Sequence, residues 1–177
     1  MKTIFSVLLL FFSAAVTAQN NRGLVFNKEL KMLVGNWEGT TIYTDPKKGN
    51  LQFTLKTKLE VIDLTDSLKL NFSYTDPEGM ETMDTSILRI YDKEDKLRID
   101  HQLYDIVSTG RKGPRMEVVA EREGFDNILK PGFDPSLKAD FRQTITFDAG
   151  NLKIVRELRF MENEYFFIRM RSTLIKK

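Results

Sequence analysis

The chain has 177 residues, 27 Lys and Arg against 25 Asp and Glu for a net charge of +2, one tryptophan, one histidine and no cysteine. The missing cysteine excludes disulfides, thiolate metal sites, cysteine nucleophiles and lipid attachment at an N-terminal cysteine, and the single histidine excludes a multi-histidine metal site within one chain. Charges of both signs are interspersed, with no basic block beyond Lys176-Lys177, so the stripe of a nucleic-acid binder is absent.

Residues 1–18 read as an export signal: Lys2 supplies a positive start, Ile4 to Phe12 an apolar core, and Val16-Thr17-Ala18 a small-residue cleavage site. The apolar run is too short to span a bilayer, and no later segment is long and uncharged enough to do so. Residues 19–177 are expected to form a single domain, exported and stabilised by its own core without disulfides, which suits a bacterial periplasm. Asn27 to Val34 predicts a short helix capped by Asn27, with Leu30, Leu33 and Val34 on one face.

From Gly35 onward the apolar pattern has a period of two. Trp37, Gly39, Thr41 and Tyr43 share one face of a first strand, followed by a turn over residues 45–50. Leu51, Phe53, Leu55, Leu59 and Val61 alternate with polar residues along the second, which implies one buried and one wet face. Leu68, Leu70, Phe72 and Tyr74 mark a third strand and residues 84–91 a fourth. Leu97, Ile99, His101 and Leu103 align on a fifth, and Met116, Val118 and Ala120 on a sixth.

Residues 124–140, with Gly-Phe-Asp at 124–126 and again at 132–134, are too long for a hairpin and read as a binding loop or lid carrying Phe125 and Phe133. Alternation resumes with Phe141, Gln143, Ile145 and Phe147, then Leu152, Ile154, Arg156, Leu158 and Phe160. Phe166, Ile168, Met170, Ser172 and Leu174 mark the last strand. The expectation is all-β: an antiparallel up-and-down barrel of about 8–10 strands with a short N-terminal helix, because closure of a meander removes both sheet edges.

Three features could carry chemistry. Gly35 and Gly39 permit a tight entry and a bend around Trp37, a large plug whose indole N–H needs a partner; sealing one barrel end is the first reading, ligand contact the second. His101 on an apolar face is a core histidine or, inside a barrel, a ligand to haem iron or to a head group. Arg156, between Ile154 and Leu158, must meet an anion: a structural carboxylate, unless a bulge turns it outward, or the head group of a bound molecule gripped in two places. Tyr43, Tyr74, Gln143 and Met170, on the inward faces, complete the candidate cavity. No nucleophile elbow, calcium loop or phosphate loop occurs.

Leu33-Val34-Gly35-Asn36-Trp37-Glu38-Gly39 at the edge of an antiparallel meander resembles the calycin superfamily, and within it lipocalin-like bacterial domains and nitrobindin-type barrels. The resemblance implies a barrel closed near Trp37 and open at the other end, with a basic residue of the last strand, Arg169 or Arg171, packed over the indole. Nitrobindin-type barrels hold haem through a histidine near the C-terminus. Here that strand reads Ile168-Arg169-Met170-Arg171-Ser172-Thr173, so the haem site is not carried over. The expected function is a non-enzymatic exported barrel holding a small hydrophobic or amphipathic molecule without a cofactor. A cell-envelope module with a filled barrel is the alternative, and a haem-dependent enzyme a third.

Overall fold

The computed structural model describes residues 29–45, 51–91, 94–123, 139–160 and 165–177. Ten antiparallel strands close into a barrel in which each neighbours the next in sequence and β1 meets β10. They are β1 Gly35–Asp45, β2 Leu51–Asp63, β3 Leu68–Thr75, β4 Glu81–Tyr91, β5 Lys96–Ile99, β6 Gln102–Lys112, β7 Arg115–Arg122, β8 Ala139–Phe147, β9 Asn151–Phe160 and β10 Phe167–Lys176. Along most of the strands period two holds, so most of the apolar series named from the sequence turns inward and most of the intervening charges turn outward. On β2 the inward series Thr57, Leu59 and Val61 is buried while Lys56, Lys58 and Glu60 are exposed.

Of the expected N-terminal helix the described residues show only Glu29 and Leu30, running into a 3-10 helix at Lys31–Leu33 with no side-chain cap at Leu30. Asn27, its expected cap, lies outside the described residues. Leu30 and Leu33 are nevertheless buried, as the apolar spacing required, and join the core at the Trp37 end of the barrel.

The strand expected from Leu97 to Leu103 is two strands. β5 ends at Ile99, Asp100 takes a φ of +55°, and β6 begins at Gln102. A two-residue turn inverts the pattern, so His101 and Leu103 are exposed while Tyr104 is buried. Asp100 also mends the edge that β5 leaves on β4. Its backbone N–H donates to the Ile87 carbonyl at 2.8 Å, and its carboxylate accepts from the Ile87 N–H at 2.7 Å and the Ser86 hydroxyl at 3.1 Å.

Two strands carry an extra residue. The register slips between Ile106 and Ser108 on β6 and between Ile168 and Met170 on β10. The β10 bulge corrects the expected face of the last strand: Met170, Ser172 and Leu174 stay inward and buried, but Ile168 is exposed. Phe167 instead pairs with Leu158 and packs on Phe160, with ring centroids 5.5 Å apart.

Candidate functional site

One end of the barrel is sealed by the motif around Trp37. The indole is fully buried, and its Nε1 donates to the Leu33 carbonyl at 2.7 Å, which ties the 3-10 turn under the barrel. Lys176, paired with Trp37 across β1 and β10, places Nζ 5.3 Å from the ring and donates to the Met32 carbonyl at 2.9 Å. The basic residue over the indole is therefore Lys176, not Arg169 or Arg171, because register puts both arginines further along β10.

Arg169, in the bulge, lies 4.4 Å above the Tyr43 ring and donates to the Thr44 carbonyl at 2.7 Å and to the Tyr43 hydroxyl. Arg171 pairs with Ile42 and Val155, and its Nε is buried with no hydrogen-bond partner among the described residues. Gly35 has a φ of +127°, which a side chain rarely adopts. At Gly39 a Cβ would overlap the Thr173 carbonyl oxygen, so β1 and β10 can approach there only without one.

Above this plug the interior is packed. Leu33, Val61, Leu70, Phe72, Leu88, Ile99, Ile145, Leu152 and Ile154 surround a void of about 10 Å³ that Ser86, Gln143 and Arg156 cap on its polar side. That is close to the least room a single water needs. Also buried in the wall, the hydroxyls of Thr41, Thr57 and Ser172 bond to one another at 2.7 and 2.8 Å across β10, β1 and β2.

Arg156 faces the interior, half-buried. β9 carries no bulge at this point, and among the described residues the hydrogen-bond partner of Nε is the neutral Gln143 Oε1 at 3.1 Å, with no carboxylate paired to the guanidinium. Met170 is its buried neighbour on β10. Tyr74 lies within electrostatic reach of Arg156 and Asp84; burial pushes its hydroxyl up to about 12, against the opposing pull of Arg156. Tyr74 also stacks on Phe72, centroids 5.5 Å apart and planes 4° from parallel.

Sequence reasoning missed Arg122. It continues the face of Met116, Val118 and Ala120, a signal of the same kind that marked Arg156, and its guanidinium lies 5.1 Å from the Phe141 ring and 5.6 Å from that of Tyr104.

Of the expected cavity residues, Arg156, Gln143, Tyr74 and Met170 therefore share the interior. Tyr43 is engaged by Arg169 near the ends of β1 and β10. His101 stands on an exposed turn outside the barrel, and Phe125 and Phe133 lie outside the described residues. These residues do not fit a histidine-held haem, since the only histidine stands on an exposed turn outside the barrel. A surface cleft of about 490 Å³ lies at the plugged end between the 3-10 helix, Asp63–Leu68 and Leu88–Glu94. Across it Lys31 pairs with Asp63 at 3.0 Å and Arg89 with Asp66 at 2.8 Å. Among the described residues no helix is long and apolar enough to cross a membrane, and no group of His, Cys, Asp or Glu could hold a metal ion.

No protein-family model matches the chain, and no curated protein matches it. Among solved structures it is similar to the crystal structure of Rv2717c from M. tuberculosis, with a TM-score of 0.62 and 13% identity over 85% of this chain and 96% of that one. At that identity the likeness speaks for the fold alone, and the chain is a closed, ten-stranded antiparallel β-barrel of the kind seen there.

Proposed function

We propose that the chain is an exported, lipocalin-like barrel of the calycin type that binds a small amphipathic molecule at its open end and catalyses no reaction, without a cofactor. The observation that supports this is Arg156: an inward guanidinium whose partner among the described residues is a neutral amide. A cation in such a place gains from an anion that the barrel wall does not supply. Gln143 orients it, Tyr74 stays protonated at neutral pH and can donate to the same head group, and Met170 packs alongside.

Titration with amphiphiles carrying carboxylate, sulfonate, hydroxyl or ammonium heads tests the reading. Saturable binding by the anionic members, weakened about tenfold or more in Arg156→Met, is the expected result. Absence of binding by every member would sink the proposal. It would leave the second reading, an envelope module filled by its own side chains, which the small enclosed void favours.

A further inference from the structure

We infer that the first half of β4 is an open sheet edge, and that a second copy of this chain pairs with it antiparallel, about a two-fold axis at Met83. The inference stands apart from the ligand-binding reading, since it concerns backbone on the outer part of one strand. β4 spans Glu81–Tyr91, but β5, only four residues long, pairs with Leu88–Tyr91 alone. Asp100 adds one more rung at Ile87, donating its N–H to the Ile87 carbonyl and accepting the Ile87 N–H on its carboxylate. Ile87 therefore points both backbone groups away from β3, and residues two apart on a strand point the same way. Glu81, Met83 and Thr85 thus turn their N–H and C=O groups to the side that β5 leaves open, and no described residue pairs with them there.

Edge strands are normally protected by lysine, proline, a bulge or a covering segment. Glu81-Thr82-Met83-Asp84-Thr85 has no lysine, no proline and no register shift, and all five residues are exposed. Met83 is 78% exposed, and Met80 just before the strand is 66% exposed. Neither side chain belongs to the barrel core, so both remain available for burial against another chain.

The residues of the edge select a second copy as its occupant. With Met83 opposite the partner's Met83, Glu81 lies opposite the partner's Thr85 and Thr82 opposite the partner's Asp84. No like charges meet, the Thr82 hydroxyl can donate to the facing carboxylate, and the two methionines cover each other. Three residue pairs that each exchange two backbone bonds give about six hydrogen bonds. Moving the axis to Asp84 would set two carboxylates face to face. It would also pair Glu81 with the partner's Ile87, a place that Asp100 already fills. Moving the axis to Thr82 would set Thr85 against the partner's Gly79, which lies in the β3–β4 turn with a φ of +87°. Only the register on Met83 uses the whole open edge. Five paired residues bury less than a standard interface, so the dimer is expected to be weak and concentration-dependent.

Sedimentation velocity of the protein from about 10 µM to about 1 mM tests this. A shift from monomer toward dimer over that range is expected, and a monomer throughout overturns the inference. Met83→Pro removes the central edge N–H from both copies and leaves the bonds to β3 in place, so dimerisation at least about tenfold weaker is expected. A dimer unchanged in that variant overturns the edge as its site. Met83→Lys sets two cations face to face at the axis and gives the same reading should the proline variant not fold. Because the chain has no cysteine, Met83→Cys adds a single thiol. In the paired register its Cα lies about 5.5 Å from that of its copy, within disulfide reach. Oxidative cross-linking is expected to run at least about tenfold faster than in Val107→Cys, an exposed position on β6. Equal rates overturn the register on Met83.

Discussion

Trp37 shows how much one side chain can organise. It fills the end of the barrel, hands its only polar hydrogen to Leu33, and carries the alkylammonium of Lys176 across its face. As the only tryptophan, fully buried, it also gives any unfolding experiment a single-site fluorescence signal. Gly39 two residues on is the most constrained neighbour. Gly39→Ala drives a methyl into the Thr173 carbonyl on β10, a backbone atom that cannot step aside. The expected loss is about 1–3 kcal/mol or more, read as a lower urea midpoint with an unchanged slope. Tyr74 supplies a base-side signature: its folded pKa near 12 lies above the ordinary value of 10.0, so the fold holds this proton more tightly than the unfolded chain does. Stability from that group is complete below about pH 10 and fades as the pH climbs toward 12.

Among elements, the β10–β1–β2 seam is joined by more than backbone pairing. Thr41 sits between Thr57 and Ser172 and bonds to both, and Thr57 also donates to the Leu55 carbonyl at 3.3 Å. Thr41→Val keeps the volume and removes the hub, leaving two buried hydroxyls without that partner; a loss of about 1–3 kcal/mol is expected in denaturant titration. Replacing all three with apolar residues of similar shape is expected to recover much of it, since no orphaned group then remains.

The β8–β9 turn has a titratable counterpart. Asp148 accepts the Gly150 and Asn151 backbone N–H groups at 2.9 and 2.7 Å, and these bonds, Gly150 first and the Asn151 side chain next, hold its carboxyl below the usual value of 3.8. The charged form is the folded form, so its contribution is present above about pH 4 and is lost as the pH falls through the lowered value. Asp148→Ala is therefore expected to be less stable than the parent at neutral pH, with the gap closing under acid; a gap that does not change with pH refutes the assignment.

At the scale of the molecule, closure of the sheet is what turns alternating sequences into an inside and an outside. The alternation itself is legible in the residues: Leu51 to Val61, Leu68 to Tyr74, and Leu152 to Phe160 each define an inward and an outward face by their period alone. The parity of Arg156 is legible too, but that it faces inward is decided by the register of β9 with β8 and β10. The division of Leu97–Leu103 into two strands is not legible, since Leu97, Ile99, His101 and Leu103 alternate faultlessly while the chain reverses at Asp100. Nor is the bulge at Arg169, which needs the partner strands β1 and β9 to define it.

The sequence by itself determined an all-β meander, most of its inward faces and the plug at Trp37, because those follow from a two-residue period and from the size of one side chain. Only the tertiary structure decided that Lys176 rather than an arginine covers the indole, that His101 lies outside, and that the barrel is packed below Arg156. Each of those depends on which residues meet across strands far apart in the chain, and register and packing volume are properties of the closed barrel, not of any strand within it.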